Sequence, residues 1–425
     1  MTSNNNLLVL LPHTPTWFSM KLLTYALTAI VLLFSSCKKD HDDDDTPAAQ
    51  PKNVKVGALL SLTGNWSSLG ITSKAAMEIA AEDINAYMSH TGSNYYFSPV
   101  VFDTKLEAQL AEKYLAEAKA KGCRFVLGPQ SSAEAATIKD YANAQDVIVV
   151  SQGSTAGVLS IEGDNLFRFC PDDHIEGQAM AKTIHKDGIK ALVTAARDDA
   201  GNKGLQLSTG NAFSALGGDV SATNPYSSGS GTDFSALLAD IKAKIQQHTG
   251  HYGASGVAVY MASFDECVSM FQQAASDPVL SSVRWYGGDG TALSAALTVN
   301  SAAAEFAIAT QYFAPAFGLP AQAASKWQPL AERIKERTGI APDAFALAAY
   351  DAMWVIASTY NAFPNAEAQF HYLKSEFPIE AGKYYGATGA TMLNAAGDRA
   401  VGSYDYWGIA KEGNGYKWVE VGKSD

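Results

Sequence analysis

The sequence predicts an α/β fold of two lobes, each a doubly wound parallel sheet with helices on both of its faces. Apolar strand patterns alternate with helical patterns from Val54 onward, which is the order of a parallel sheet. The alternation ends its first run at Val150 and starts again at Ala191, which indicates two similar units. A chain of 425 residues is long enough for each unit to bury a core of its own.

The first unit opens with an apolar strand over 54–60. The next segment has an apolar stripe at helical spacing, from Met77 through Ile84 to Met88, with Glu78 and Glu82 off the stripe. The elements that follow are a strand at 99–102, a helix at 106–121, a strand at 124–127, a helix at 132–144 and a strand at 147–150.

The second unit repeats this order and then ends differently. Its elements are a strand at 191–195, helices at 204–216 and 233–246, a strand at 257–261, a helix at 264–275, a strand at 283–286 and helices at 326–338 and 343–362. Segments 404–410 and 416–421 flank Gly413-Asn414-Gly415, which predicts a hairpin. This late return indicates several crossings of the chain between the lobes.

The first 36 residues are typical of a signal peptide. Met20 and Lys21 precede an apolar stretch over 22–34, which is shorter than the roughly 20 residues that span a bilayer. Ser35-Ser36-Cys37 follows and resembles the lipobox of bacterial lipoproteins, although Phe34 stands where the motif prefers Leu. We expect translation to start at Met20 and Cys37 to carry the lipid. An ordinary secretory signal with an incidental cysteine is the alternative.

Residues 37–52 are expected to form a disordered acidic tether. Asp42 to Asp45 are followed by two prolines, a composition that cannot bury a core. The acidic tract after the cysteine resembles the surface-export signal of Bacteroidota lipoproteins, and a plain solvated spacer is the alternative. The expected location is the bacterial cell envelope, with the protein anchored by lipid to the outer membrane and facing either side.

Composition and motif content exclude several functions. A net charge of −12 argues against nucleic-acid binding, which needs clustered Lys and Arg. The sequence has no Gly-x-Ser-x-Gly, P-loop or Gly-x-Gly-x-x-Gly motif, so we expect no enzyme activity and no cofactor. It has no CxxC or HExxH motif either, so no metal site is expected. Cys123, Cys170 and Cys267 are interpreted as buried small apolar residues, with a disulfide as the alternative.

Three loops at predicted strand ends are candidate ligand sites, because open parallel sheets bind ligands beyond the carboxyl ends of their strands. These loops are 61–70, 128–132 and 151–155. A hydroxyl-rich turn at a helix start offers free N–H groups to a carboxylate. Simple capping of the helix by Ser131 or Ser132 is the alternative interpretation.

Five motifs occur in the order typical of one family. They are VGALLSLTG at 56–64, FVLGPQSS at 125–132, VSQGST at 150–155, DFSALLADIK at 233–242 and YGATG at 385–389. Together they resemble the type I periplasmic binding proteins of the Leu/Ile/Val-binding class, the solute receptors of ABC importers. The resemblance covers about residues 53–421.

The resemblance implies two lobes joined by a three-crossover hinge that closes on an amino acid or related small carboxylate. The expected segments are 53–170 with 312–386 for the first lobe, and 171–311 with 387–425 for the second. It also implies a monomer that delivers its ligand to an ABC permease. A ligand-sensing module that feeds a separate signalling partner is the alternative function.

The family's binding residues can be carried over by position. Ser132 would hold the ligand carboxylate, with the Gly153 backbone and Thr155 beside it. Asp289 would pair with the ligand ammonium, and Phe264 would supply an aromatic wall.

Two positions depart from the family pattern. Leu69 stands where an aromatic precedes the first-loop glycine, and Trp66 is a candidate substitute for it. The second lobe's aromatic-Gly motif is replaced by the segment DAGNKG at 199–204, so the ligand side chain is not predicted.

Overall fold

The computed structural model of the chain describes residues 51–229, 231–363 and 369–424. The expected signal peptide, lipidated Cys37 and nearly all of the acidic tether lie outside these residues. The tether was expected to reach residue 52, but Lys52 already pairs with Tyr95 as the first residue of a strand. No helix in the described part of the chain has the length and apolar character needed to cross a membrane.

The first lobe is built on a five-stranded parallel sheet. Its strands are β1 (Lys52–Leu60), β2 (Tyr95–Asp103), β3 (Phe125–Leu127), β4 (Ile148–Ser151) and β5 (Leu166–Arg168), in the order β2-β1-β3-β4-β5. The connecting helices are α1 (Ser67–Thr91), α2 (Ala108–Ala120) and α3 (Ser132–Ala144). The predicted strands and helices of this unit are confirmed. Strand β5 was not predicted, because three residues are too few to show a period.

The second lobe is built on a seven-stranded sheet. Its elements in chain order are α4 (Asp173–Lys186), β6 (Ala191–Ala196), α5 (Ala200–Ala215), β7 (Asp219–Ala222), α6 (Ser235–Tyr252), β8 (Val257–Ala262), α7 (Cys267–Ala274), β9 (Arg284–Gly287), α8 (Ala295–Val299), α9 (Ser301–Ala309) and β10 (Phe313–Phe317). After β10 the chain returns to the first lobe, where it forms α10 (Ala324–Thr338), α11 (Ala344–Asn361), α12 (Phe370–Lys383) and the short strands β11 (Tyr385–Gly386) and β12 (Gly389–Ala390). It then passes back to the second lobe and ends with β13 (Tyr404–Glu412) and β14 (Gly415–Lys423). The sheet order is β14-β13-β10-β9-β8-β6-β7, and the predicted hairpin forms its antiparallel edge.

Each sheet is covered by helices on both faces, as the sequence predicts. In the first lobe, α1, α10, α11 and α12 share one apolar core, while α2 and α3 cover the opposite face. In the second lobe, α6, α7 and α9 cover one face and α4 and α5 cover the other. A smaller apolar cluster contains Trp66 and Leu69 from the first lobe and Phe264 from the second, so the two lobes also pack against each other.

The chain passes between the two lobes three times within the described residues: after β5, after β10 and before β13. The expected boundary at residue 312 is wrong. Phe313 pairs with both Tyr286 of β9 and Gly408 of β13, so β10 belongs to the second sheet and the crossing follows Phe317. The last boundary also shifts, because the segment after 386 first completes the β11–β12 pair, whose Ala387 is buried in the core of the first lobe.

The cysteines at 123, 170 and 267 are all buried and unbonded, as interpreted from the sequence. Burial raises the pKa of the Cys123 thiol to about 11. These cysteines are therefore packing residues.

A fully buried ion pair ties the first crossing to the third. The Arg168 guanidinium donates from Nε to Asp398 Oδ1 at 2.5 Å and from Nη2 to Oδ2 at 2.7 Å. Both side chains are 1% exposed. Arg168 also donates to the carbonyl oxygens of Ala156 at 2.7 Å and Ser154 at 3.3 Å, so the pair fixes the loop after β4 as well.

We predict that Asp398→Ala destabilises the protein by about 3–5 kcal/mol, because it leaves the buried Arg168 charge without its partner. The midpoint of urea unfolding, followed by circular dichroism, measures the change. Glu412→Ala is the matched control: it removes an exposed pair with Lys417, and exposed pairs contribute little. A loss below about 1 kcal/mol for Asp398→Ala, in the range of exposed pairs, would contradict the assigned role.

Candidate functional site

One cavity between the lobes is bordered by loops at the carboxyl ends of strands from both sheets. Its lining is Trp66, Ser131, Ser132, Gly153, Thr155, Gly201, Asn202, Leu205, Phe264 and Asp289. The structure therefore brings together all of the residues that the sequence nominated for this site except Leu69. Leu69 is buried directly behind the wall, where its side chain lies 3.4 Å from the position that a Cβ on Gly153 would occupy.

The cavity is narrow, with a volume of about 20 Å³. A single water needs roughly 10–15 Å³ by the same measure. Any solute larger than a few atoms must therefore enter by moving the walls apart. The walls belong to different lobes, so that motion is a change in the angle between the lobes.

The first-lobe wall is built around the start of α3. Ser131 caps this helix, and Glu134 completes a capping box by accepting from the Ser131 N–H at 3.2 Å. Capping was therefore correctly raised as an alternative for Ser131. Burial raises the pKa of the Glu134 carboxyl.

Ser132 has a different role from its neighbour. Its Oγ accepts from the Ala156 N–H at 3.0 Å and from the Ser154 hydroxyl at 3.1 Å. A hydroxyl has two lone pairs and one proton, so Ser132 has only its O–H left to donate. The Ser132 hydroxyl can therefore act toward a ligand only as a hydrogen-bond donor, and it lies beside the free N–H groups of the first turn of α3.

The loop after β1 closes the top of the cavity. Trp66 is buried with a left-handed φ of 54°, and its N–H donates to Asp265 Oδ2 of the second lobe at 2.8 Å. Its ring lies 4.8 Å from that of Phe264. Gly70 allows this loop to pack closely, because a Cβ there would lie 1.8 Å from the Ser61 carbonyl oxygen. Trp66, the candidate substitute for an aromatic at position 69, thus places its ring in the wall of the cavity.

A second polar contact joins the lobes beside this ring pair. Asn65 Nδ2 donates to Glu266 Oε2 at 2.9 Å. Arg197 lies 5.3 Å from the centroid of Phe264 and pairs with Asp199 and Glu266 at 3.2 and 3.6 Å. Phe264 itself lies in the loop before α7, which begins at Cys267 and not at 264 as predicted.

The start of α5 forms the wall opposite Ser132. Asp199 caps this helix through the Asn202 N–H at 2.9 Å. A Cβ on Gly201 would lie 3.3 Å from Ser132 Oγ, so the two lobes meet closely here. The segment that lacks the family's aromatic thus places small and amide groups against the cavity.

Asp289 supplies the second-lobe carboxylate. It follows β9 and is 8% exposed. Its N–H donates to Glu176 Oε1 at 3.2 Å, and its own Oδ2 has no hydrogen-bond partner. Burial, with the nearby Asp343 carboxylate, raises the pKa of Asp289 to about 7. Burial likewise raises the pKa of Asp343, which caps α11, to about 6.

Two further carboxylates behind Asp289 were not predicted from the sequence. Asp173 and Glu176 lie in the first turn of α4 and are almost completely buried. Burial, together with the Asp289 charge, raises the pKa of both carboxyls well above the ordinary range. Acidic residues in a first helical turn are ordinary complements of the helix dipole, so their pattern carries no signal of a buried site.

A metal site and a larger cavity are the alternatives to this assignment. No group of His, Cys, Asp and Glu in the described part of the chain has the geometry to hold a metal ion. A cavity of about 410 Å³ lies among Thr183, Arg284, Tyr406 and their neighbours. It belongs to the second lobe alone and contains none of the nominated residues.

Known proteins resemble this chain over most of its length. The family described as periplasmic binding protein matches residues 53–368. An uncharacterized protein of Methanocaldococcus jannaschii is 27% identical over 93% of this chain and 95% of its own length. The Leu/Ile/Val-binding protein BraC3 of Rhizobium johnstonii is 27% identical over 45% of this chain and 52% of its own length.

The fold has solved counterparts as well. The crystal structure of the leucine-binding protein LivK from Thermotoga maritima superposes with a TM-score of 0.71 at 21% identity. The match covers 88% of this chain and 99% of that protein. The two-lobed α/β architecture predicted from the sequence is therefore confirmed.

We predict that Asp289→Asn flattens the pH dependence of stability. The Asp289 carboxyl has a pKa of about 7 when folded and about 3.9 when unfolded. The folded state therefore holds the extra proton, and its stability falls as the pH rises from about 4 to about 7, by on the order of 4 kcal/mol for this group. Urea unfolding of the ligand-free protein at pH 5 and pH 8 measures the difference, which should shrink in the variant.

Asp277→Asn is the control for this experiment. Asp277 is a surface residue whose pKa is lowered by its hydrogen bond to Lys242, so its contribution is lost only in acid. The control should keep the wild-type difference between pH 5 and pH 8. An equally large difference in Asp289→Asn would contradict the assignment of the titration to this residue.

Proposed function

The chain belongs to the periplasmic binding protein family, and on that premise we propose that it captures an amino acid or related small carboxylate between its two lobes. Capture occurs by hinge closure, and the ligand is then delivered to an ABC importer. The protein acts outside the cytoplasm in the bacterial cell envelope, as a monomer held by a lipid on Cys37. It is a solute receptor and carries out no reaction.

One observation carries this proposal: a hydrogen-bond donor and a carboxylate from different lobes border the same cavity. Ser132 has only its O–H to offer, next to the N-terminal end of α3, and this arrangement suits a ligand carboxylate. Asp289 has an unpartnered oxygen and suits a ligand ammonium. A zwitterion satisfies both groups at once, and neither lobe alone satisfies both ends of it.

Closure of the lobes makes the two half-sites strong. Charge-assisted hydrogen bonds strengthen when water is excluded, because the local dielectric falls. The contacts that join Trp66 to Asp265 and Asn65 to Glu266 form between the lobes and seal the cavity from outside. Binding energy thus selects the closed arrangement of the hinge.

The relatives support the proposed ligand class. BraC3 is named for Leu, Ile and Val, and LivK for leucine. The wall that meets the ligand side chain differs here, because Gly201 and Asn202 occupy it. Branched-chain amino acids are therefore one subset of the candidates.

We predict that Asp289→Asn and Ser132→Ala each weaken amino-acid binding, by at least tenfold for Asp289→Asn because it removes the partner of the ammonium. The ligand is first found by a thermal-shift screen of amino acids and small carboxylates, since a ligand of the folded state raises the melting temperature. Isothermal titration calorimetry then gives the affinities. Asp277→Asn, on the surface of the second lobe, is the matched control and should bind as wild type does. Wild-type affinity in both site variants would refute the site assignment.

We predict that Cys37→Ser releases the protein from membranes, because the acylated cysteine is its proposed attachment. Fractionation of cells and immunoblotting measure the distribution. Cys123→Ser is the control, since that cysteine is buried in the first lobe. A Cys37→Ser variant that still sediments with membranes would contradict the lipid anchor.

A further inference from the structure

Acidic side chains outnumber available cations around the cavity. Asp173, Glu176 and Asp289 are each at least nine-tenths buried on the second-lobe side. In the described part of the chain, none of the three has an ion pair with Lys, Arg or His among the salt bridges of the fold. Arg168 is held by Asp398 in a bidentate pair. Arg197 is shared between Asp199 and Glu266.

Most oxygens of the three carboxylates also lack a hydrogen-bond partner. Both oxygens of Asp173, Oε2 of Glu176 and Oδ2 of Asp289 have no hydrogen-bond partner. The buried Tyr404 hydroxyl is unpartnered as well. Burial raises the pKa of Tyr404, and the charges of the three carboxylates raise it further, so all three lie near this one hydroxyl.

The surrounding backbone positions these acids next to the ligand cavity. Asp173 donates its N–H to the carbonyl oxygen of Thr155 at 2.8 Å, and Thr155 lines the cavity. A Cβ on Gly204 would lie 2.9 Å from Asp173 Oδ2, so glycine leaves room for this carboxylate. Glu176 reaches the backbone of Asp289, which also lines the cavity.

Buried unpaired carboxylates are costly, and a protein retains them where something neutralises them. In the described part of the chain, the remaining candidates for that role are protons and a cation that comes from outside. A single ligand ammonium accounts for Asp289 alone. Two further carboxylates at the same place call for a second positive group.

We propose that the ligand is an amino acid with a second cationic group, which Asp173 and Glu176 receive beside the ammonium site of Asp289. This inference rests on the proposed function and narrows its ligand class to basic amino acids. Ser132 and the start of α3 still take the ligand carboxylate. The ligand side chain runs toward the start of α4, and Asp173 and Glu176 determine the specificity for it.

The test compares lysine with norleucine by isothermal titration calorimetry on the purified protein. Norleucine carries a methyl group where lysine carries its ε-ammonium, so the pair isolates the second charge. Wild type should bind lysine at least tenfold more tightly than norleucine. Glu176→Gln and Asp173→Asn should each reduce this ratio at least tenfold, because each removes one charge that meets the ε-ammonium.

Asp164→Asn is the matched control. Asp164 is also a buried carboxyl whose pKa is raised by burial, but it lies in the loop before β5 and accepts from the Leu166 N–H. The lysine-to-norleucine ratio should stay at the wild-type value in this variant. A ratio that persists in both Glu176→Gln and Asp173→Asn would overturn the assignment to these residues.

The outcomes for this inference and for the proposed function can be told apart. If wild type binds norleucine as tightly as lysine, amino-acid capture stands and the second cationic subsite is refuted. Cadaverine is lysine without its carboxylate. If cadaverine binds and lysine does not, the subsite stands and amino-acid capture is refuted. If no amino acid, amine or small carboxylate binds, both are refuted.

Discussion

The buried pair of Arg168 with Asp398 is the interaction on which the two-lobed arrangement depends. The three chain crossings must keep fixed positions relative to one another if loops from the two sheets are to face each other. Arg168 ends the last strand of the first lobe and holds the third crossing through Asp398. The neighbouring Arg399 donates to the Phe169 carbonyl of the first crossing at 3.4 Å and lies 4.6 Å from the ring of Phe317 at the second. All three crossings thus converge on two adjacent arginines.

The same pair links the hinge to the ligand wall. Arg168 donates to the carbonyl oxygens that flank Thr155, so the loop after β4 cannot shift without disturbing the ion pair. Ser132 is fixed from the other side by the Ala156 N–H. The first-lobe half of the site is therefore held by hydrogen bonds around Ser132, whose O–H is left as a donor. The second-lobe half differs, because Asp289 and the two acids behind it have carboxylate oxygens with no hydrogen-bond donor. In the proposed capture, the ligand presents its carboxylate to the first-lobe half and its positive groups to the acidic second-lobe half.

Sequence patterns predicted the parts of this design that repeat and missed the parts that depend on packing. Alternating strands and helices predicted most strands of both sheets but not β5, β7 or β10, and the strand-end loops nominated Ser132 and Asp289, which border one cavity. Strand β5 is too short for a period to be visible. Asp173 and Glu176 resemble ordinary first-turn acids, because a sequence does not tell which side of a helix start is covered by another lobe. The sequence did not show which of Trp66 and Leu69 lines the cavity, because that depends on the left-handed backbone conformation at Trp66.

Proton uptake can stabilise the acidic second-lobe half of the site, formed by Asp173, Glu176 and Asp289, when no ligand is bound. Burial and the mutual repulsion of the three carboxylates raise the pKa of each carboxyl, which favours proton uptake when no cation is bound. In the proposed complex, a cationic ligand competes with protons for these oxygens, so binding of an ammonium group releases protons. Oε1 of Glu176 already accepts from the Asp289 N–H, so only Oε2 is free to meet a cation. In the proposed function, the charge of the ligand then determines how many of the unpartnered carboxylate oxygens form ion pairs when the lobes close.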